Sequence, residues 1–192
     1  LIGIGLTAAL SRWLLGNDPA LPWLIAPMGA STVLLFAVPA SPFARPWPVL
    51  GGHLVAGMIG LIAHHLGGDG WIAIGAAVGL AIAVMSLLRC LHPPAGGTAV
   101  LTTLSSPAIV AAGWQFLITP IALNVVLLLI LATAFHRATG HSYPHHAAPH
   151  APSADYRPED LEAVLAEWDE VIDVSAEDLD ALIRAVQERV RR

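Results

Sequence analysis

Two short segments carry residue types that could bind an anion within an apolar sequence. Each places glycine two positions after a proline and continues with a hydroxyl side chain: Pro27-Met28-Gly29-Ala30-Ser31 and Pro94-Ala95-Gly96-Gly97-Thr98. Proline suits the first turn of a helix, and glycine leaves neighbouring amides open to approach. A helix that starts this way is expected to present unpaired N–H groups and the positive end of its dipole, which together bind anions. The alternative is that the breaks only satisfy close helix packing.

Two histidines lie near these segments. His92 precedes Pro93-Pro94, and a residue before proline is pushed out of helical geometry, so we expect the chain to unwind there. An ionisable side chain in membrane sequence is a functional hypothesis by default, although His92 could instead cap a helix end. His53 follows Gly51-Gly52 and could line the same cavity. If His92 is protonated at the site, anion binding should tighten as pH falls toward about 6.5.

The predicted site is one for substrate binding. Its candidate residues are Pro27, Gly29, Ala30, Ser31, His53, His92, Pro93, Pro94, Gly96, Gly97 and Thr98. Ser31 and His92 are the only tempting nucleophile and base, and no acidic group accompanies them, so we expect no enzyme activity. We also expect no metal and no cofactor. The single cysteine, Cys90, is interpreted as a buried inert thiol.

Composition indicates that a membrane surrounds this site. Of 192 residues, 56% are hydrophobic and only 12% are charged, whereas about a quarter are charged in ordinary soluble domains. The charge is also uneven, since residues 1–140 carry four basic and two acidic side chains and residues 141–192 carry five basic and twelve acidic ones. Residues 1–140 have too few charged side chains to cover a water-exposed surface, which indicates that they are embedded in a membrane. Without a basic patch, nucleic acid is excluded as a partner.

The elements that must position the site form an internal repeat. The two proline segments align with an offset of 67 residues. Downstream of them, Ser41-Pro42 recurs as Ser106-Pro107. Apolar runs of 18 to 20 residues occur at 49–66, 71–88 and 116–135, and about 20 are needed to cross a bilayer. Glycines, including Gly75-xxx-Gly79, predict close helix packing. The predicted fold is an all-α polytopic membrane bundle of two repeats, about 1–67 and 71–137, each with three helical segments of which one is broken.

Two arrangements of the repeats remain open. If each unit crosses the membrane three times, the repeats are inverted, and the side with Arg45, Arg89 and Arg137 is cytoplasmic by the positive-inside bias. If both broken segments are re-entrant, the C-terminal tail lies on the opposite side from Arg45. We favour the inverted arrangement, in the inner (plasma) membrane, because a long acidic tail suits the cytoplasm.

Beyond the membrane domain (1–139), the sequence predicts a Pro/His-rich linker (140–157) and an acidic helical tail (158–192). The linker's proline and small residues argue against a packed element, and its histidines lack the fixed geometry of a metal site. Helices are predicted from Pro158 and after Ser175, each with an apolar stripe. This pair is too small to fold alone, so we expect it to pack on a partner subunit or on a further domain.

Three motifs in order resemble the HPP family of integral membrane proteins, covering about residues 20–137. They are Ala26-Pro27-Met28-Gly29-Ala30-Ser31, Pro48-Val49-Leu50-Gly51-Gly52-His53 and Leu91-His92-Pro93-Pro94-Ala95-Gly96-Gly97-Thr98-Ala99. Some family members are implicated in nitrite transport, so the resemblance implies a transporter of a small inorganic anion. The expected partners are that anion and the lipid bilayer, with homo-oligomerisation left open. The alternative is a structural or sensory membrane module that acts through the tail without transport.

Overall fold

The structure, a computed structural model, describes residues 2–16, 22–145, 157–167 and 173–190. Over these ranges every regular element is helical, as the sequence predicts. The helices are α1 (Ile2–Leu15), α2 (Met28–Ala37), α3 (Pro46–Gly67), α4 (Trp71–Leu87), α5 (Ala95–Leu104), α6 (Pro107–Ala112), α7 (Leu123–Ala138), α8 (Pro158–Glu167) and α9 (Ala176–Val190). A 3₁₀ turn, Pro42–Ala44, precedes α3, and an irregular turn, Leu117–Ala122, leads into α7.

Two described helical stretches are long and apolar enough to cross a membrane, namely Pro46–Gly67 and Leu117–Ala138. The second deviates at Thr119, whose φ of −129° and ψ of 110° are not helical and precede Pro120. The predicted run 71–88 forms the 17-residue helix α4. Helices α2 and α5 have 10 residues each, so each is about 15 Å long, half the hydrocarbon thickness. The sequence therefore correctly predicts that one segment of each repeat is interrupted, at Pro27 and at Pro94.

The two repeats exchange their third helices. Helix α3, the last of the first repeat, packs mainly on α4 and α5 of the second. Helix α7, the last of the second repeat, packs on α1 and α2 of the first. The helix order agrees with the predicted repeat, while the inversion of one unit relative to the other stays a prediction.

Glycines on α3 allow the closest of these contacts. A methyl group added at Gly60 would lie 2.6 Å from the carbonyl oxygen of Ala99, and one at Gly52 would lie 2.8 Å from Cβ of His92. An added methyl at Gly75 or Gly79 would meet nothing within 4 Å. The predicted close packing is therefore confirmed on α3, whereas Gly75-xxx-Gly79 has no close neighbour among the described residues.

The first residues of the predicted linker, directly after α7, pack on the bundle. Tyr143 is buried, and its hydroxyl donates to the carbonyl of Ala44 at 2.8 Å. Its ring stacks on His136, which is also buried. The membrane domain therefore includes Tyr143, and the expectation of an unpacked linker is wrong there. Residues 146–156 lie outside the described residues.

The described tail forms the two predicted helices and contacts the bundle beside the 3₁₀ turn. Asp173 accepts a hydrogen bond of 2.5 Å from Ser41, and Glu177 pairs with Arg45 at 3.6 Å. His145 contacts Asp178 at 2.7 Å. The tail thus packs on the membrane bundle of its own chain, where the sequence led us to expect a partner subunit or a further domain.

Candidate functional site

Four of the predicted site residues meet where the two broken helices face α3. Ser31 on α2 contacts two histidines, with its Oγ 2.9 Å from Nε2 of His53 and 2.9 Å from Nε2 of His92. Nδ1 of His53 lies 2.7 Å from Oγ1 of Thr98 on α5. All four side chains are completely buried. The predicted cluster of Ser31, His53, His92 and Thr98 is therefore present as one connected network.

One backbone carbonyl assigns the hydrogens of this network. Nδ1 of His92 lies 2.8 Å from the carbonyl oxygen of Phe43, which can only accept, so Nδ1 carries the hydrogen. In a neutral imidazole Nε2 must then accept, and it does so from the Ser31 hydroxyl. Ser31 in turn accepts from Nε2–H of His53, whose Nδ1 accepts from the Thr98 hydroxyl. The result is a directional chain of four hydrogen bonds ending at Phe43.

The local sequence explains why these side chains converge. The Pro93-Pro94 pair ends the extended segment after α4, and His92 lies in that segment opposite α3. Gly52 on α3 lets the backbone near His92 approach closely, since any side chain there would collide with its Cβ. The imidazole rings of His53 and His92 have centroids 5.0 Å apart and lie at 63° to each other.

The first turns of the two broken helices do not present the row of unpaired amides that the sequence suggested. Amides in both turns donate to carbonyls three or four residues earlier, at 2.9 to 3.2 Å: those of Met28, Gly29, Ser31, Ala95, Gly96 and Gly97. The physical reason is that Pro27 and Pro94 already have helical angles, with φ of −58° and ψ of −20° and −24°. The preceding carbonyls are consequently within reach of these amides.

The remaining predicted residues surround the cluster without joining it. Pro27 lies against Gly97, where an added methyl would be 3.3 Å from its Cγ, so the two helix starts are neighbours. Ala30, Pro93 and Gly97 are exposed on the protein surface. Gly29, Pro94 and Gly96 are half-buried, and a methyl at either glycine would meet no described residue within 4 Å. Cys90 is buried and free, as predicted.

With this geometry in place, the comparisons with known proteins decide the family. The pattern of the HPP transmembrane region matches residues 1–144 of the chain. The chain belongs to the HPP family. Two transmembrane proteins of Dictyostelium discoideum are similar to it, one 29% identical over 72% of this chain and 50% of its own length, the other 30% identical over 68% and 43%. The chain spans about half the length of these relatives. No solved structure matches it. It is an integral membrane protein.

Three further buried or hydrogen-bonding groups, the Phe43 carbonyl, His136 and Tyr143, were not singled out in the sequence. The Phe43 carbonyl carries no sequence signal, because any residue supplies a carbonyl. His136 donates from Nε2 to the carbonyl of Leu35 at 2.7 Å, while its buried Nδ1 has no hydrogen-bond partner among the described residues. Tyr143 stands beside it. A histidine near the end of a long apolar run was the available signal for His136.

Asn124, a polar side chain in the apolar helix α7, links three parts of the fold. Its amide nitrogen donates to Oγ of Ser11 at 2.9 Å and to the carbonyl of Trp23 at 3.0 Å, and its oxygen accepts from the amide of Ile25 at 2.9 Å. It thereby fixes α7 against α1 and the segment before α2. Within the described ranges, no three His, Cys, Asp or Glu side chains are grouped to hold a metal ion.

Proposed function

We propose that this HPP protein carries a small inorganic anion across the membrane together with a proton, using Ser31, His53, His92 and Thr98. Nitrite is the first candidate, because the family resemblance implies it. The observation that supports the proposal is the single Ser31 hydroxyl shared by two buried imidazoles at 2.9 Å each. In this proposal the protein lies in the inner (plasma) membrane with its tail in the cytoplasm.

The hydrogen count of the network favours coupling to a proton. In the neutral state all four side-chain hydrogens already have acceptors, so none is left for an anion. A proton added to Nε2 of His92 turns that atom into a donor and frees the Ser31 hydroxyl hydrogen. The Pro27 carbonyl, 3.4 Å from Oγ, could receive that hydrogen in the absence of a ligand. The protonated cluster therefore has a donor to offer an anion.

Burial then makes the anion and the proton depend on each other. A lone charge in an apolar interior is very costly, and a paired one costs much less. The positive cluster is stabilised by an anion, and the anion is stabilised by the extra proton. We therefore expect the two to move together, so that one transport step carries no net charge.

The test is anion uptake into vesicles that contain the purified protein. A pH gradient that is acidic outside should drive uptake, whereas a potassium diffusion potential should not. Ser31→Ala and His92→Gln should each slow uptake roughly 10- to 100-fold, since a hydrogen bond to a charged group contributes about 1.5–3 kcal/mol. Protein-free vesicles measure the nitrous acid that crosses lipid unaided.

His65→Gln is the matched control. His65 lies on the same helix as His53, but it is exposed. Its Nδ1 contacts the carbonyl of Leu61, and its ring stacks on Trp114 and meets the His64 ring edge-on. Its variant should transport like the unmodified protein. Equal uptake by the Ser31 and His92 variants, with nitrite, nitrate and chloride all tested, would refute the proposed site.

One observation favours the second candidate, a sensory module without transport. The tail contacts Ser41 and Arg45, which flank the 3₁₀ turn containing Phe43, and the Phe43 carbonyl accepts from His92. A change of protonation in the cluster could therefore alter the position of the tail through the 3₁₀ turn, Pro42–Ala44. Absence of any protein-dependent flux, together with a change in tail mobility between acidic and neutral pH, would support this candidate over transport.

A further inference from the structure

A cleft of about 820 Å³ opens at the end of the bundle where α3 begins. It is lined by side chains from three parts of the fold, including Arg45, Trp47, Arg89, His145 and Glu177. None of these residues belongs to the buried cluster. The indole of Trp47 donates to the carbonyl of Leu88 at 3.1 Å and so joins the start of α3 to the segment that carries Arg89.

Arg89 has a backbone conformation that would suit glycine. Its φ is +52°, in the left-handed region. Its amide donates to the carbonyl of Ser86 at 3.1 Å, and the amide of Cys90 donates to that of Met85 at 2.8 Å. These paired bonds are the helix-ending motif in which glycine is strongly favoured at the Arg89 position. An unfavourable backbone conformation held by an arginine points to a use for its side chain.

The charges around the cleft leave this arginine unmatched. Arg45 pairs with Glu177 through Nη2 and Oε2 at 3.6 Å. Arg89 has no ion pair with any acidic residue in the described parts of the chain. Guanidinium groups bind carboxylate and phosphate oxygens through paired N–H donors. The Glu177 carboxylate therefore shows one arginine of the cleft already holding an oxyanion.

We propose that the cleft binds a phosphate-type oxyanion through Arg45 and Arg89, and that Glu177 competes with it for Arg45. The oxyanion could be free in solution or part of a lipid headgroup, since the start of a membrane-spanning helix borders the cleft. This site does not depend on transport through the buried cluster.

The test is calorimetric titration of inorganic phosphate into the full chain in phosphatidylcholine nanodiscs. Arg89→Gly should abolish binding while preserving the fold, because glycine relieves the backbone at that position. Arg45→Gln should also abolish it. Glu177→Gln should tighten binding about two- to fivefold, as expected from removing a half-exposed ion pair. Arg12→Gln and Glu162→Gln, which alter exposed charges outside the cleft, should change nothing.

The same titration in nanodiscs containing phosphatidylglycerol separates the two sources. Weaker phosphate binding there in the Glu177→Gln protein identifies the lipid headgroup as an occupant, and unchanged binding identifies the free oxyanion. Both results support the site. Unchanged binding in Arg89→Gly or Arg45→Gln, or no binding even in Glu177→Gln, would overturn it. Neither result bears on anion flux through Ser31.

Discussion

The Phe43 carbonyl determines the hydrogen positions of three side chains that it does not touch. Because it fixes the hydrogen of His92 on Nδ1, it also orients Ser31, His53 and Thr98 in sequence. Four polar groups are thereby satisfied in a fully buried place without any charge. Such a network is stable only while every member is present.

We therefore expect Ser31→Ala to destabilise the protein, although it removes one atom. The change leaves Nε2 of both histidines buried without their shared partner, at a cost of about 1–3 kcal/mol each. The measurement is the thermal midpoint of the purified protein in detergent. Ser31→Thr retains a hydroxyl and should recover much of the loss. A Ser31→Ala protein as stable as the unmodified one would show that the network contributes no stability.

The sequence predicted the composition of this cluster better than its chemistry. The repeat aligned Ser31 with Thr98, and the Pro93-Pro94 pair placed a break at His92, so their meeting could be anticipated. The amide bonding of the two helix starts could not, because it depends on the backbone angles of Pro27 and Pro94 rather than on residue type. The hydrogen bond from His92 to Phe43 could not be predicted either, because its acceptor is a backbone carbonyl, which every residue has.

At the scale of elements, the close contact between α3 and α5 depends on glycine having no side chain at position 60. Gly60→Ala should destabilise the protein by about 1–3 kcal/mol or more, since the added methyl meets the Ala99 backbone, which moves only with all of α5. Gly75→Ala on α4 meets nothing and is the matched control. The measurement is again the thermal midpoint, with the monodisperse fraction after extraction. Equal effects of the two substitutions would contradict this packing.

The docking of α9 on the bundle should fail only in strong acid. Burial raises the pKa of Asp178, but hydrogen bonds from Ser175 and His145 and the charge of Arg45 outweigh it and leave the pKa below its ordinary value of 3.8. A carboxyl whose pKa is lowered by folding stabilises the folded state above that ordinary value. This stability is lost as pH falls through the lowered value.

A spin label at Leu182→Cys, with Cys90 replaced by serine, reports this docking. Its motion should stay restricted from neutral pH to about pH 4 and increase below that. Asp178→Asn should be mobile even at neutral pH. Asp160→Asn on α8 is the control and should behave like the parent. Identical spectra for Asp178→Asn and the parent would show that Asp178 does not hold the tail.

At the scale of the whole molecule, α3 separates two ends of different character. Its 22 residues span about 33 Å, enough to cross the hydrocarbon layer. Arg45, Arg89 and the start of α9 lie at one end, and Asp69 follows the other. The inverted arrangement predicts that Arg45 and the tail lie on the same side of the membrane, and it stays a prediction.

Cysteine labelling in intact cells tests this orientation. With Cys90 replaced, cysteines at Ala40 and Val186 should be protected from an impermeant maleimide, and one at Asp69 should react, because the arginine-rich end is expected in the cytoplasm. Permeabilised cells should give labelling at all three positions. Reaction at Ala40 but not at Asp69 would reverse the orientation, and opposite results for Ala40 and Val186 would support re-entrant segments.

The exchange of third helices between the repeats governs how the protein can assemble during synthesis. When α3 leaves the ribosome, α4 and α5 have not been made. Its glycine-lined face must therefore contact lipid or the insertion machinery until they follow. Helices α1 and α2 wait longer, until α7 arrives near the end of the membrane domain. Neither repeat can therefore complete its packing first, and the buried histidines acquire their full surroundings only when nearly all of the domain has been inserted.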